Sequence, residues 1–299
     1  MSLSLLLPPE GLADLLADWP AEPRVYERGR TEVDEAMSLD TFTELIDTGC
    51  APPDEIAAIK AGPSNRTAFL TDGRTDPVKL RRLRNQGYTI RLGNMQRWMP
   101  VFHRISQAIQ HETNGYSNYM HAFLTPGGEQ GLLHHWDQQM AVIVQVAGVK
   151  TWQLWSPPVL APMREYNESF RVWRDDFIPQ WEAAGPDLTI DLKAGQTLLL
   201  PRGWVHNPHA LYHDAPSLHL TFAIRERTPL WIAEQLIARA IEQPEFRRII
   251  KPRDIEGSTL VDRLRETRQA LVEFLGCLDL DEVAGLVREA AVTELEYTT

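Results

Sequence analysis

The chain has 299 residues, 43% hydrophobic and 24% charged, enough apolar material for one large core or two smaller ones and far from the composition of a disordered tail or a membrane protein. Thirty Lys and Arg against 41 Asp and Glu leave a net charge of -11, which repels nucleic-acid phosphate and suits a basic polypeptide partner. Two widely separated cysteines, Cys50 and Cys277, exclude a disulfide framework and a thiolate metal cage, and they fit a reducing cytoplasm.

The apolar start, Leu3 to Leu7, has no basic flank and runs into Pro8-Pro9, so it reads as an ordinary frayed terminus rather than a signal peptide or a membrane span. From Pro8 to about Glu112 the pattern is mainly helical. Asp40 to Thr48, closed by Gly49, and Val101 to Gln110, with Val101, Ile105, Ala108 and Ile109 on one face, are the clearest cases. Between them Gly62-Pro63, Asp72-Gly73 and Asp76-Pro77 break the chain before a predicted strand at Tyr88 to Leu92.

From about Met120 the period shortens. Met120 to Thr125, Gln139 to Val146, Val149 to Trp155, Leu188 to Leu192, Thr197 to Leu200 and Ser217 to Ile224 are predicted strands. Turn signals at Pro126-Gly127-Gly128, Gly148, Pro157-Pro158 and Ala194-Gly195 separate them, which predicts a small antiparallel barrel or jelly roll. Ser156 to Asp187 reads as an insertion between barrel strands. From Pro229 onward the period is helical again, with one stripe through Ile232, Leu236, Ile237, Ala240 and Ile241. A second runs through Leu260, Leu264, Leu271, Val272 and Leu275, with Ser258 available as its cap. This region either covers the barrel or forms a dimerisation unit. The predicted boundaries are 1–226 for a catalytic domain and 227–299 for a C-terminal helical domain.

Seven of the nine histidines fall between His121 and His219, pointing to a site in the barrel region. Within it, His135-Trp136-Asp137 places an imidazole and a carboxylate on one face of an extended segment, with Trp136 turned away. His206, just after the Pro201-Arg202-Gly203 turn, can bring a third ligand from across the barrel. Two histidines and one carboxylate on one face of an octahedral ion leave the opposite face open, the arrangement by which non-heme Fe(II) oxygenases bind a co-substrate and O₂. His134 has the opposite strand parity, His209 lies three residues past His206, and His213 falls in a predicted surface loop, so none of them is the preferred ligand. Trp152, Trp155 and Trp204 read as core or pocket wall.

The run LTPGGEQGLLHHWDQQMAVIVQVAGVKTWQLW, with AGQTLLLPRGWVH and SLHLTFAI, resembles the cupin-type JmjC proteins that include the ribosomal oxygenases, over about Asn118 to Ile224. The resemblance implies an α+β fold: a double-stranded β-helix, the JmjC jelly-roll barrel, with a helical N-terminal flank and a C-terminal helical domain. It implies Fe(II) on His135, Asp137 and His206, and 2-oxoglutarate as co-substrate with Lys150 pairing its far carboxylate. Where the family often has Asn and Tyr, this chain has His121 and Phe123. The lost hydroxyl makes His219, Thr221 and His121 candidates for holding the co-substrate.

The expected activity is hydroxylation of a side chain in a protein or peptide, a basic ribosomal protein fitting the net charge, by a cytoplasmic protein with no nucleic-acid or membrane partner, a homodimer if the C-terminal helices form the dimerisation unit. N-methyl demethylation uses the same iron chemistry. The alternatives are tailoring of a precursor peptide or small molecule, and a cupin that binds metal without turnover.

Overall fold

The computed structural model describes residues 3–163, 172–256 and 259–298, and the chain forms two compact units, Met1–Arg225 and Glu226–Thr299. The first unit carries strands β1 (Arg24–Glu27), β2 (Ile56–Ile59), β3 (Leu70–Thr71), β4 (Arg74–Thr75), β5 (Thr89–Leu92), β6 (Asn118–Thr125) and β7 (His135–Trp136). It continues with β8 (Met140–Ala147), β9 (Val149–Trp155), β10 (Leu188–Lys193), β11 (Gln196–Leu200), β12 (Val205–His209) and β13 (Ser217–Ile224). Among the described residues these make an antiparallel sheet in the order β1-β11-β8-β13-β6-β5-β2, a second in the order β10-β9-β12-β7, and the hairpin β3-β4. This is an α+β jelly-roll barrel, as the resemblance implies.

Alternation along each strand divides the interior. On β6, Met120, Ala122 and Leu124 join the main core, as do Met140, Val142, Val144 and Val146 of β8. The intervening residues Tyr119, His121, Phe123 and Thr125 turn to the opposite face and line a cavity inside the barrel. The helices Leu39–Thr48 and Pro100–Glu112 cover the core side of this sheet through Phe42, Ile46, Phe102, Ile105 and Ile109. Ser38 caps the first of them, its hydroxyl accepting from Thr41 N at 3.1 Å, and Gly49 ends it in the left-handed conformation at φ 66°.

The strands Val149–Trp155 and Ser217–Ile224 have the predicted bounds, and the other predicted strands shift by one or two residues at an end. The N-terminal region departs further from expectation. Leu3, Leu6 and Leu7 are fully buried in the main core, and Thr197 Oγ1 donates to Leu6 O at 2.7 Å, so this terminus is docked rather than frayed. The region read as mainly helical also supplies β1 and β2 to the large sheet. β2 is Ile-Ala-Ala-Ile, buried at every position, and so lacks the period of two by which a half-buried strand is recognised. β12 was missed because Pro208 interrupts its pattern.

The insertion after β9 contributes the helix Phe177–Ala184, while residues 164–171 lie outside the description. Trp181 and Phe177 of this helix meet Trp136 at ring-centroid distances of 6.3 Å each, so Trp136 does face away from its two neighbours in the triplet.

In the second unit the helices Pro229–Ala238, Thr259–Gly276 and Leu280–Thr298 follow the predicted periods. Thr228 caps the first by accepting from Trp231 N at 3.3 Å, and the expected cap Ser258 lies outside the described residues. Neither of the first two helices has a buried residue, and Ile232, Ile237, Ile241, Leu264 and Val272 are exposed.

Candidate metal centre

β7 and β12 are paired so that His135 lies directly opposite His206, which brings the early motif and the late histidine to one point. The ring centroids are 4.1 Å apart, and His206 Nε2 lies 3.8 Å from Asp137 Oδ2. One ligand atom from each of His135, Asp137 and His206 can be chosen so that all lie within 4.8 Å of one another, and this is the only such cluster among the described residues. The turn after β11 is tied to the early motif by Gly203 N, which donates to Asp137 O at 2.8 Å. Gly203 sits at φ 88°, where a side chain would be strained and would lie 2.7 Å from Pro162.

Each imidazole is oriented by a backbone carbonyl. His135 Nδ1 donates to Leu133 O at 2.6 Å and His206 Nδ1 to Trp204 O at 3.0 Å. A carbonyl only accepts, so the proton is on Nδ1 and the lone pair of Nε2 faces the cluster. Burial, followed by the neighbouring His135, pushes the His206 imidazole down to about 4, which keeps it neutral and available as a ligand at pH 7.

The triad opens into a cavity of about 250 Å³ whose wall includes Lys150, Trp152, His121, Phe123, His219 and Thr221. Lys150 is 2% exposed, and its ammonium donates to Thr125 Oγ1, which in turn meets Thr89 Oγ1 at 2.9 Å. Among the described residues no carboxylate pairs with it, and burial pushes its pKa down to about 7. His121 accepts from Asn94 N at 3.1 Å through Nδ1 and is pushed down to about 4, chiefly by burial and then by Arg91. His219 is buried, stacks on Phe123 at 4.9 Å, and is held well below its ordinary value by the same desolvation. All the candidate residues therefore meet at one cavity.

The remaining histidines lie elsewhere. His134 packs on Trp155 at 4.8 Å, His209 is buried against Tyr212, and His213 meets Thr151 Oγ1 at 3.0 Å instead of standing free in its loop. Thr89, Arg91, Tyr119, Thr125 and Gln139 line the cavity and were not singled out from the sequence. For Tyr119 and Thr125 the signal was present, since both share the strand parity of His121.

The donor set fits a divalent first-row ion: two imidazoles, each with Nε2 toward the cluster, and one carboxylate leave coordination positions toward the cavity. A family model described as JmjC domain matches residues 91–230. The chain is 30% identical over 227 residues to the bifunctional lysine-specific demethylase and histidyl-hydroxylase NO66 of Culex quinquefasciatus, covering 71% of this chain and 33% of that protein. It is 31% identical over 155 residues to ribosomal oxygenase 1 of Danio rerio, covering 52% of this chain and 27% of that protein. The chain thus spans about a third of the length of the curated relatives it matches. The structure of YcfD, a ribosomal oxygenase from Escherichia coli, in complex with cobalt and succinic acid superposes with a TM-score of 0.54 at 13% identity, over 90% of this chain and 69% of that one. Its complex with cobalt and 2-oxoglutarate gives 0.52 at 14%, over 89% and 67%; likeness at these identities concerns the fold. With its jelly-roll barrel, its linked motifs in order and residues 91–230 matched by the JmjC domain model, the chain resembles the cupin-type JmjC proteins and, among them, the ribosomal oxygenases.

Proposed function

We propose that this protein is an Fe(II)- and 2-oxoglutarate-dependent oxygenase that hydroxylates a side chain of a protein or peptide. The observation that carries the reading is the convergence of His135, Asp137 and His206 on one point at the wall of a cavity that also holds the buried cation Lys150. The two carbonyl-oriented imidazoles and Asp137 would hold the iron, and the donor chemistry fits it. Lys150, aimed by Thr125, would orient the co-substrate by pairing its far carboxylate. Trp152 and Phe123 make an apolar wall that limits water, while His121, His219 and Thr221 offer uncharged polar groups along the co-substrate's path. Bound iron would supply oxidative chemistry with O₂ as the oxidant: one of its atoms enters succinate as 2-oxoglutarate loses CO₂, and the other enters a C–H bond of the substrate.

The proteins that this chain resembles are named as histidyl-hydroxylases, demethylases and ribosomal oxygenases, and some neighbouring structures hold cobalt with succinate or 2-oxoglutarate. These names support a protein substrate, and the net charge of -11 supports a basic one such as a ribosomal protein. A cytoplasmic setting is supported by two free cysteines, both exposed, and no helix among the described residues is long and apolar enough to cross a membrane. The exposed apolar stripe of Glu226–Thr299 supports a homodimer through that unit.

The test is a comparison of the host proteome with and without this gene, alongside iron-loaded protein given 2-oxoglutarate. A gain of about 16 daltons on one peptide, with succinate release, is expected for insertion of one oxygen. Absence of any 2-oxoglutarate conversion, with or without peptides, ends the reading.

A further inference from the structure

Lys150 shares the cavity wall with a second strongly basic side chain, Arg91, which has no task in the function proposed above. Arg91 lies on β5 opposite Phe123, two residues past Thr89, so Thr89 and Arg91 share the inward face. Thr89 belongs to the Lys150 end, since its hydroxyl meets the threonine that receives the ammonium. The guanidinium runs the other way. A side-chain carbon on Gly93 would lie 3.6 Å from Arg91 Nη2, and Tyr119, far along the inward row of β6 from Thr125, acts on it electrostatically. The two cations thus mark opposite ends of the inner face.

Arg91 is half-buried, its Nε has no hydrogen-bond partner, and it forms no ion pair within 4.0 Å among the described residues. Glu55 is near, its Oε2 2.9 Å from that same point beside Gly93, but it accepts Asn94 Nδ2 at 2.9 Å, forms no ion pair with the guanidinium and is no part of the cavity wall, and Arg66 adds like charge. With the metal and co-substrate in place, a divalent ion and Lys150 balance Asp137 and a dicarboxylate. Arg91 is left as the uncompensated charge of the wall. A half-buried guanidinium without a partner is costly, and its planar fork matches a carboxylate.

We propose that Arg91 is a specificity-determining residue that recognises a carboxylate on the substrate, namely an Asp or Glu side chain of a peptide lying beside the oxidised position. The inference rests on the oxygenase reading and narrows its substrate. The acidic surface acts on a basic partner at long range, whereas Arg91 reads one group at contact.

The test uses the full chain loaded with Co(II) and 2-oxoglutarate under nitrogen. Its probes are four N-acetylated mixtures of short peptides: C-amidated with one Glu, one Gln or one Lys, and a neutral mixture with a free C-terminal carboxylate. The Glu mixture is expected to bind at least about tenfold more tightly than the Gln and Lys mixtures. In Arg91→Gln that ratio is expected to fall below about twofold, and Arg91→Lys to retain part of it. Tightest binding of the free-carboxylate mixture, lost in Arg91→Gln, supports the same recognition with a chain terminus as its source. Equal binding of the Glu, Gln and Lys mixtures to the unaltered protein overturns the inference, whatever the variants do. A 2-oxoglutarate titration of the same preparation is read separately, and no binding there overturns the oxygenase reading instead.

Discussion

Lys150 shows how one residue is set by its surroundings. Its ammonium has a threonine hydroxyl and, among the described residues, no carboxylate beside it, and burial pushes it from its ordinary value down to about 7. A bound dicarboxylate favours the charged form and raises that value again. Above about pH 7 the empty site is increasingly neutral, so binding must take up a proton and affinity falls by up to about tenfold per pH unit; below it the lysine is already charged and its contribution levels off. Calorimetric titration of metal-loaded protein with 2-oxoglutarate between pH 7 and 9 is expected to show this weakening and the proton uptake in buffers of different ionisation enthalpy. A flat affinity across that range would show that the lysine stays charged in the empty cavity.

At the scale of elements, the β8–β9 hairpin delivers Lys150 two residues after its turn at Gly148. Gly148 has φ 66°, and a Cβ there would lie 2.2 Å from Pro216 O. Gly148→Ala meets both left-handed strain and a backbone clash, and it is expected to cost more than about 2 kcal/mol in urea denaturation. Dicarboxylate affinity should fall with it, while metal binding, whose proposed ligands lie on β7, β12 and the residues beside them, should be less affected. The N-terminal segment is the second case. Leu7 is 1% exposed in the main core, so Leu7→Ala is expected to destabilise by about 2–5 kcal/mol in the same assay, where a frayed terminus would give almost nothing.

For the whole molecule, the two compact units have different economies of burial. Met1–Arg225 holds the barrel and the main core, whereas in Glu226–Thr299 the helices Pro229–Ala238 and Thr259–Gly276 have no buried residue. Apolar stripes of that kind call for a partner, and in the proposed homodimer a second copy of the chain would supply a self-complementary one. Sedimentation is expected to give twice the monomer mass, and Leu264→Glu with Val272→Glu to shift it toward the monomer. A monomer at micromolar concentration in the unaltered protein would remove the dimer from the proposal.

What the sequence determined by itself was local. Runs rich in β-branched and aromatic residues marked Val149–Trp155 and Ser217–Ile224, Gly49 and Gly148 marked the ends of their elements, and the parity of His135 and Asp137 put two proposed ligands on one face. These are properties of a few consecutive residues, and spacing expresses them directly. Tertiary structure decided whatever depends on a partner distant in the chain. The pairing of β7 with β12 brings His206 opposite His135, and Thr125 with Thr89 shapes the surroundings of Lys150. The buried β2 and the docked Leu3 to Leu7 take their places only because another surface covers them. Arg91 belongs to the same group, for a charged residue in a buried strand has the same spelling with or without an acid beside it. Whether its charge is answered is settled by what the fold places across the cavity.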